Sequence, residues 1–143
     1  MSSPHHLDEP GAPLLFASGA PGLVVTDVDS TLIAQEVIEE LAEAAGTREQ
    51  VAAVTARAMN GELDFAESLR ERVATLRGVP HSVFADVLAR VTPTKGAREL
   101  IDAVHAAGGH FGVVSGGFEE VVAPLVASLG IDFYAANRLE VVD

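Results

Sequence analysis

Cysteine is absent from the 143 residues, which excludes a disulfide framework, a thiolate nucleophile and a zinc–thiolate site. Basic residues are scarce. Nine lysines and arginines face 21 aspartates and glutamates, for a formal net charge of −12, and Lys95 is the single lysine. No basic run occurs, which argues against a nucleic-acid surface, and an anionic substrate would need a few local positive groups or a metal. No apolar stretch approaches the ~18 residues of a membrane span. The opening MSSPHHLDEPGAP has no positive segment of the kind that begins a signal peptide. The expectation is a cytoplasmic protein with no membrane partner.

What is present suffices for a core. Hydrophobic residues make up 48% of the chain, as in globular proteins, and the length suits one domain. Residues 1–21, rich in Pro, Gly and Ser, read as a flexible tail in which His5-His6 is inert. The apolar run from Gly22 to Val28 predicts a strand covered on both faces, as in parallel sheets. Apolar spacing over 35–45 predicts a helix closed by Gly46, and Thr47 with Gln50 fits a capping box for a helix to about Met59. Asp64 can cap a third helix to about Arg77, and Pro80 opens a fourth through Arg90.

Beyond Thr92-Pro93 the pattern changes. A helix over 95–107 precedes a short strand at His110–Val114, then a helix from about Phe118 to Leu129 that Pro124 should kink or shorten. A third strand follows at Phe133–Ala136, and a fourth begins over Leu139–Val142. Strands alternating with helices after an inserted helical block predict an α/β protein, a parallel sheet with a helical cap.

Chemistry concentrates at two strand ends. In VVTDVDSTLI, Asp27 and Asp29 are two apart, so extended backbone points both the same way. Such a pair repels unless a cation such as Mg²⁺, which favours oxygen ligands, offsets the charge. A carboxylate there can attack phosphorus to form an aspartyl-phosphate, and a second can protonate the leaving oxygen and then activate water. The bland alternative is a polar strand end with Asp-Ser as a helix cap. At the second strand end, Ser115-Gly116-Gly117 offers a hydroxyl and backbone N–H groups as an anion cradle. Its alternative is an ordinary glycine turn. On a helix of residues 64–77, Arg72 lies about 20° from Phe65, inside the stripe of Phe65, Leu69 and Leu76. An arginine on that face usually grips a carboxylate or phosphate, or else is paired internally. His81, His105 and His110 show no ligand spacing and read as structural.

DVDSTL, Glu36, RAMNGELDFAESLRERVATLRG (57–78), TPTKGA (92–97), VSGGF (114–118) and ANRL (136–139) together resemble the phosphoserine phosphatase family of the haloacid-dehalogenase superfamily, across residues 23–143. The resemblance implies a Rossmann-like core over 22–33 and 92–143, without the family's C-terminal part, and a cap over 34–91. It implies Mg²⁺-dependent hydrolysis of O-phospho-L-serine, the last step of serine biosynthesis. Asp27 matches the nucleophile and a Mg²⁺ ligand, and Asp29 the general acid/base, which lends its backbone carbonyl to the metal. Glu36 matches the group that meets the substrate ammonium and Arg72 the one that grips its carboxylate. Met59 and Phe65 match pocket-lining residues, and Ser115 with Gly116 the phosphate cradle.

The family pattern continues with a phosphate-neutralising lysine and a GDGxND-like segment whose aspartate completes the metal site. Neither occurs in these 143 residues, and Lys95, inside TPTKGA, does not match that lysine. The chain by itself is therefore expected to bind Mg²⁺ weakly, turn over little substrate and self-associate through the edge of its first strand. Two alternatives accompany the main reading. One is a phosphatase for another small phosphomonoester, which Glu36 with Arg72 disfavours because they suit the two ends of a zwitterion. The other is a non-catalytic binding or interaction fragment.

Overall fold

The computed structural model describes residues 19–142. The tail reading for residues 1–18, with His5-His6, lies outside the described residues. β-Branched Val24, Val25 and Thr26 favour the pleated strand β1 (Leu23–Thr26). A tight loop over Val28–Leu32 leads into α1 (Val37–Ala45), α2 (Arg48–Met59), α3 (Phe65–Ala74) and α4 (Val83–Arg90). After these come α5 (Ala97–Ala106), β2 (His110–Phe118), α6 (Glu119–Leu129) and β3 (Phe133–Asn137). The sheet is parallel in the order β1-β2-β3, with Val24 opposite Phe111 and Val113 opposite Tyr134.

One face of the sheet carries the core. Phe111 and Val113 are buried there with Ile101 and Val104 of α5 and Val121, Val122 and Leu125 of α6. Helix α4 packs on α6, and α1 on α4, so the helical block shares this core. The other face departs from the expectation of a strand covered on both sides. Leu23 is 55% exposed, Val25 47%, Val114 55% and Phe133 42%. Among the described residues β1 has a neighbour on one side only. The apolar run meant burial on both faces; these residues supply cover for one.

Several local expectations change. Gly46 closes α1 in the left-handed region, at φ 72°, as its position foretold. Asp64 forms a full capping box with Glu67. Thr47 makes no capping bond; its hydroxyl instead lies 3.3 Å from Thr75 Oγ1, to which it can donate. Helix α3 stops at Ala74, where the Thr75 hydroxyl donates to the Arg72 carbonyl, and α4 begins at Val83 rather than Pro80. Pro124 does not shorten α6, which runs on to Leu129. No strand forms over Leu139–Val142: the Leu139 N–H goes to the Glu120 carboxylate instead of a ladder.

The helical block leaves and rejoins the sheet side by side. Ile33 bridges Pro93, the Ala34 N–H donates to the Thr92 carbonyl at 3.0 Å, and the Thr94 N–H to the Leu32 carbonyl at 2.8 Å. The Gln35 side chain spans the same crossing, accepting from the Thr92 N–H at 2.8 Å and donating to Thr92 Oγ1 at 3.2 Å and the Arg90 carbonyl at 3.3 Å.

At the opposite end of the sheet, Asp132 joins three elements. One carboxylate oxygen accepts from the Phe111 N–H at 2.7 Å and lies 2.7 Å from His105 Nε2. These partners, the Phe111 bond first, hold its pKa below the usual 3.8. A depressed carboxylate adds stability above its unfolded value and loses it as pH falls through its folded one. Asp132→Asn should therefore be less stable than the parent at neutral pH, with the gap narrowing once pH falls below about 3.8, the ordinary aspartate value. Urea midpoints at neutral pH and below that value measure this.

Candidate active site

The site starts where β1 ends. Asp27 keeps extended backbone (φ −73°, ψ 166°), and its Oδ1 accepts from the Val28 N–H at 2.7 Å. Val28, fully buried, turns inward and anchors the loop, whose last bond runs from the Ile33 N–H to the Val28 carbonyl at 3.1 Å. Ser30 sits in the left-handed region (φ 52°), the one non-glycine among the described residues to do so. That turn lets its N–H reach the Gln35 carbonyl at 3.1 Å and its hydroxyl donate to Glu36 Oε1 at 2.7 Å.

Asp29 is held by the next helix. Its Oδ1 accepts from the Val37 N–H at 3.1 Å, so the carboxylate sits at the positive end of α1. Its pKa is nonetheless pushed up to about 6, chiefly by burial. The Val37 bond opposes the rise, the charges of Glu36 and Asp27 add to it, and Arg72 draws it down. These couplings place Asp27, Glu36 and Arg72 within electrostatic reach of Asp29.

The second strand end closes on the same point. Ser115 is buried, and its Oγ accepts from the Gly117 N–H at 2.9 Å. A Cβ on Gly117 would stand 3.0 Å from that Oγ and 3.4 Å from Asp29 Oδ2, so the glycine turn rests against the carboxylate. A Cβ on Gly116 would meet the Phe65 ring at 3.0 Å. Phe65, at the first turn of α3, thus lies over the cradle although 62% exposed. Arg72 is half-buried on the same helix, with Nε donating to the Ser68 carbonyl at 3.2 Å. None of the ion pairs among the described residues uses its guanidinium.

Asp27, Asp29, Glu36, Phe65, Ser115 and Gly116 therefore gather around one point, and the charge of Arg72 reaches Asp29 there. Met59 stands apart in one respect: it is 82% exposed at the end of α2. Lys95 is exposed in the turn before α5. A separate cavity of about 720 Å³, between the α3–α4 turn and Leu139–Val142, contains none of the gathered residues. Sequence reasoning weighed Ser30 only as part of a helix cap and passed over Gln35, whose bond to Thr92 joins positions 57 residues apart and leaves no periodic trace.

Among the described residues no three His, Cys, Asp or Glu side chains form a metal cluster. Asp27 and Asp29 nonetheless fit a hard divalent cation: both offer oxygen donors, and the burial and like charge that raise Asp29 are what a cation relieves. No helix among the described residues is long and apolar enough to cross a membrane.

The strand end with the paired carboxylates and the Ser-Gly-Gly strand end both lie in a stretch similar to known proteins. The haloacid dehalogenase-like hydrolase pattern matches residues 24–143, and the chain belongs to that family. Within it the similarity is to phosphoserine phosphatases. The phosphoserine phosphatase of Streptococcus thermophilus is 54% identical over 126 residues, 88% of this chain and 59% of that protein. Phosphoserine phosphatase SerB2 of Mycobacterium tuberculosis is 54% identical over 121 residues, 85% of this chain and 30% of its own length. A solved phospho-aspartyl intermediate analogue of phosphoserine phosphatase superposes with a TM-score of 0.79 at 42% identity, covering 87% of this chain and 59% of the other. A substrate-bound phosphoserine phosphatase complex does so with 0.79 at 40%, covering 88% and 60%. The chain thus spans at most about three-fifths of the length of these relatives.

Proposed function

We propose that these residues belong to an enzyme that hydrolyses O-phospho-L-serine to L-serine and phosphate through an aspartyl-phosphate, in the cytoplasm, as the last step of serine biosynthesis. What supports this reading is that the opposite charges of Glu36 and Arg72 both act on Asp29, next to Asp27: they suit the ammonium and carboxylate of a zwitterion, beside a nucleophile for its phosphate.

An Asp27 oxygen attacks phosphorus, and the bond from phosphorus to the serine oxygen breaks. Asp29, with its pKa near 6, gives its proton to the departing oxygen. In the second half it takes a proton from water, whose oxygen attacks the phosphorus and frees Asp27. The Ser115 hydroxyl and the Gly116 N–H hold phosphoryl oxygens. The Asp27 carboxylate and the Asp29 backbone carbonyl would hold Mg²⁺, which when bound offsets phosphate charge. Residues 34–91 act as the cap. Phe65 and Met59 line it, and its closure excludes water and selects the amino acid.

In a longer, active version of this chain, Asp27→Asn should abolish phosphate release, and beryllofluoride (a phosphoryl mimic) should add to Asp27. Retained activity, or an adduct on Asp29, would reverse the two roles. Arg72→Ala should raise KM for phosphoserine strongly, yet change little for a phosphate ester without a carboxylate. Equal losses on both esters would exclude the zwitterion reading and favour a different small phosphomonoester.

A second reading concerns association, and the uncovered strand favours it. The open edge of β1 is Leu23-Val24-Val25-Thr26, uncharged in a chain of net charge −12. Two copies can meet there without apposing carboxylates, and Leu23, Val25, Val114 and Phe133 supply the apolar area. Sedimentation of the chain should show self-association, and Val25→Lys should reduce it. A monomer at all concentrations would exclude this.

A further inference from the structure

The ANRL stretch takes no part in the chemistry above, yet its place in the sheet gives it a task. Val114 pairs with Ala135 and Phe118 with Asn137, so four steps along β2 are matched by two along β3. Residues 115–117 bulge from the ladder at that shift, and their backbone polar groups need other partners. The peptide unit joining Gly116 to Gly117 finds two. Its carbonyl oxygen accepts from Asn137 Nδ2 at 3.0 Å, and its N–H donates to Ser115 Oγ at 2.9 Å. Because a peptide unit is planar, holding both polar ends stops the whole plane from rotating. The group on Asn137 must be the amide nitrogen, since two carbonyls cannot bond each other.

The support beneath Asn137 is firm. Tyr134 OH donates to Glu119 Oε1 at 2.8 Å, Arg138 pairs with Glu119, and the Leu139 N–H donates to Glu120 Oε1 at 2.9 Å. The segment that carries Asn137 is therefore tied on both sides to the first turn of α6. Ser115 Oγ, accepting from Gly117, keeps its own proton to donate elsewhere.

We propose that Asn137 is a positioning residue of the phosphate cradle. By holding the Gly116 carbonyl it keeps the Gly117 N–H on Ser115 Oγ, and so turns the Ser115 hydroxyl proton toward a phosphoryl oxygen. The proposal rests on the reading of Ser115 and Gly116 as that cradle.

The test uses inorganic phosphate with this chain, followed through the amide resonances of Ser115 and Gly116, together with hydrogen exchange of the Gly117 amide without ligand. Asn137→Ala and Asn137→Leu remove the donor, the second with little change of size. Both should weaken phosphate binding about three- to tenfold, the worth of one hydrogen bond. Both should also speed Gly117 exchange while the thermal transition stays in place, a combination that a merely structural role would not give. Affinity and exchange unchanged in both variants would overturn the role of Asn137, as would an affinity lost only together with the thermal transition. If the unsubstituted chain shows no response to phosphate at Ser115 and Gly116, the cradle reading itself falls.

Discussion

The crowding of negative charge at the end of β1 is the constraint around which the rest is arranged. Asp27, Asp29 and Glu36 share one small volume, and burial leaves Asp29 with a pKa near 6. The protein answers with the N-terminus of α1, through the Val37 N–H, and with Arg72 from α3. Neither restores the ordinary value. The site therefore keeps an unmet demand for positive charge, which a divalent cation can satisfy. The Asp29 carboxylate also takes the first N–H of α1, so the start of the helical block is tied to the loop that follows β1.

Steric provisions follow from this arrangement. Two strand ends can approach only if one has no side chains in the way, and Gly117 against Asp29 and Gly116 under Phe65 meet that need. Ser30 adopts a conformation most residues avoid, and its hydroxyl and N–H both find partners there. Local strain of this kind persists only where surrounding bonds hold it.

Much of this was legible in the sequence, for physical reasons that differ by element. The Asp64 helix cap and the Gly46 helix end are short-range chemistry, and both form. Helical spacing put Arg72 beside Phe65, and the charge of Arg72 does reach Asp29. Glu36 had no periodic signal and came from the family resemblance alone. The failures were tertiary. The apolar run of β1 states that cover is wanted, not that it is supplied. Thr47 had a capping pattern, yet its hydroxyl engages Thr75, just past the end of α3. Asn137 and Gly116 stand 21 residues apart, and Gln35 and Thr92 57, distances at which only the fold shows a partner.

The paired crossing at Ile33–Pro93 has an evolutionary consequence. The chain leaves the sheet and returns to it through hydrogen-bonded neighbours, with the Ala34 N–H on the Thr92 carbonyl. To the sheet, everything between is a single excursion whose two ends already touch. The entropic cost of such an excursion grows only with the logarithm of its length. A short turn could span the gap, or a different set of helices could occupy it, without disturbing the pairing of β1 with β2. The loop at the end of β1 and the helices of the excursion can then diverge at separate rates.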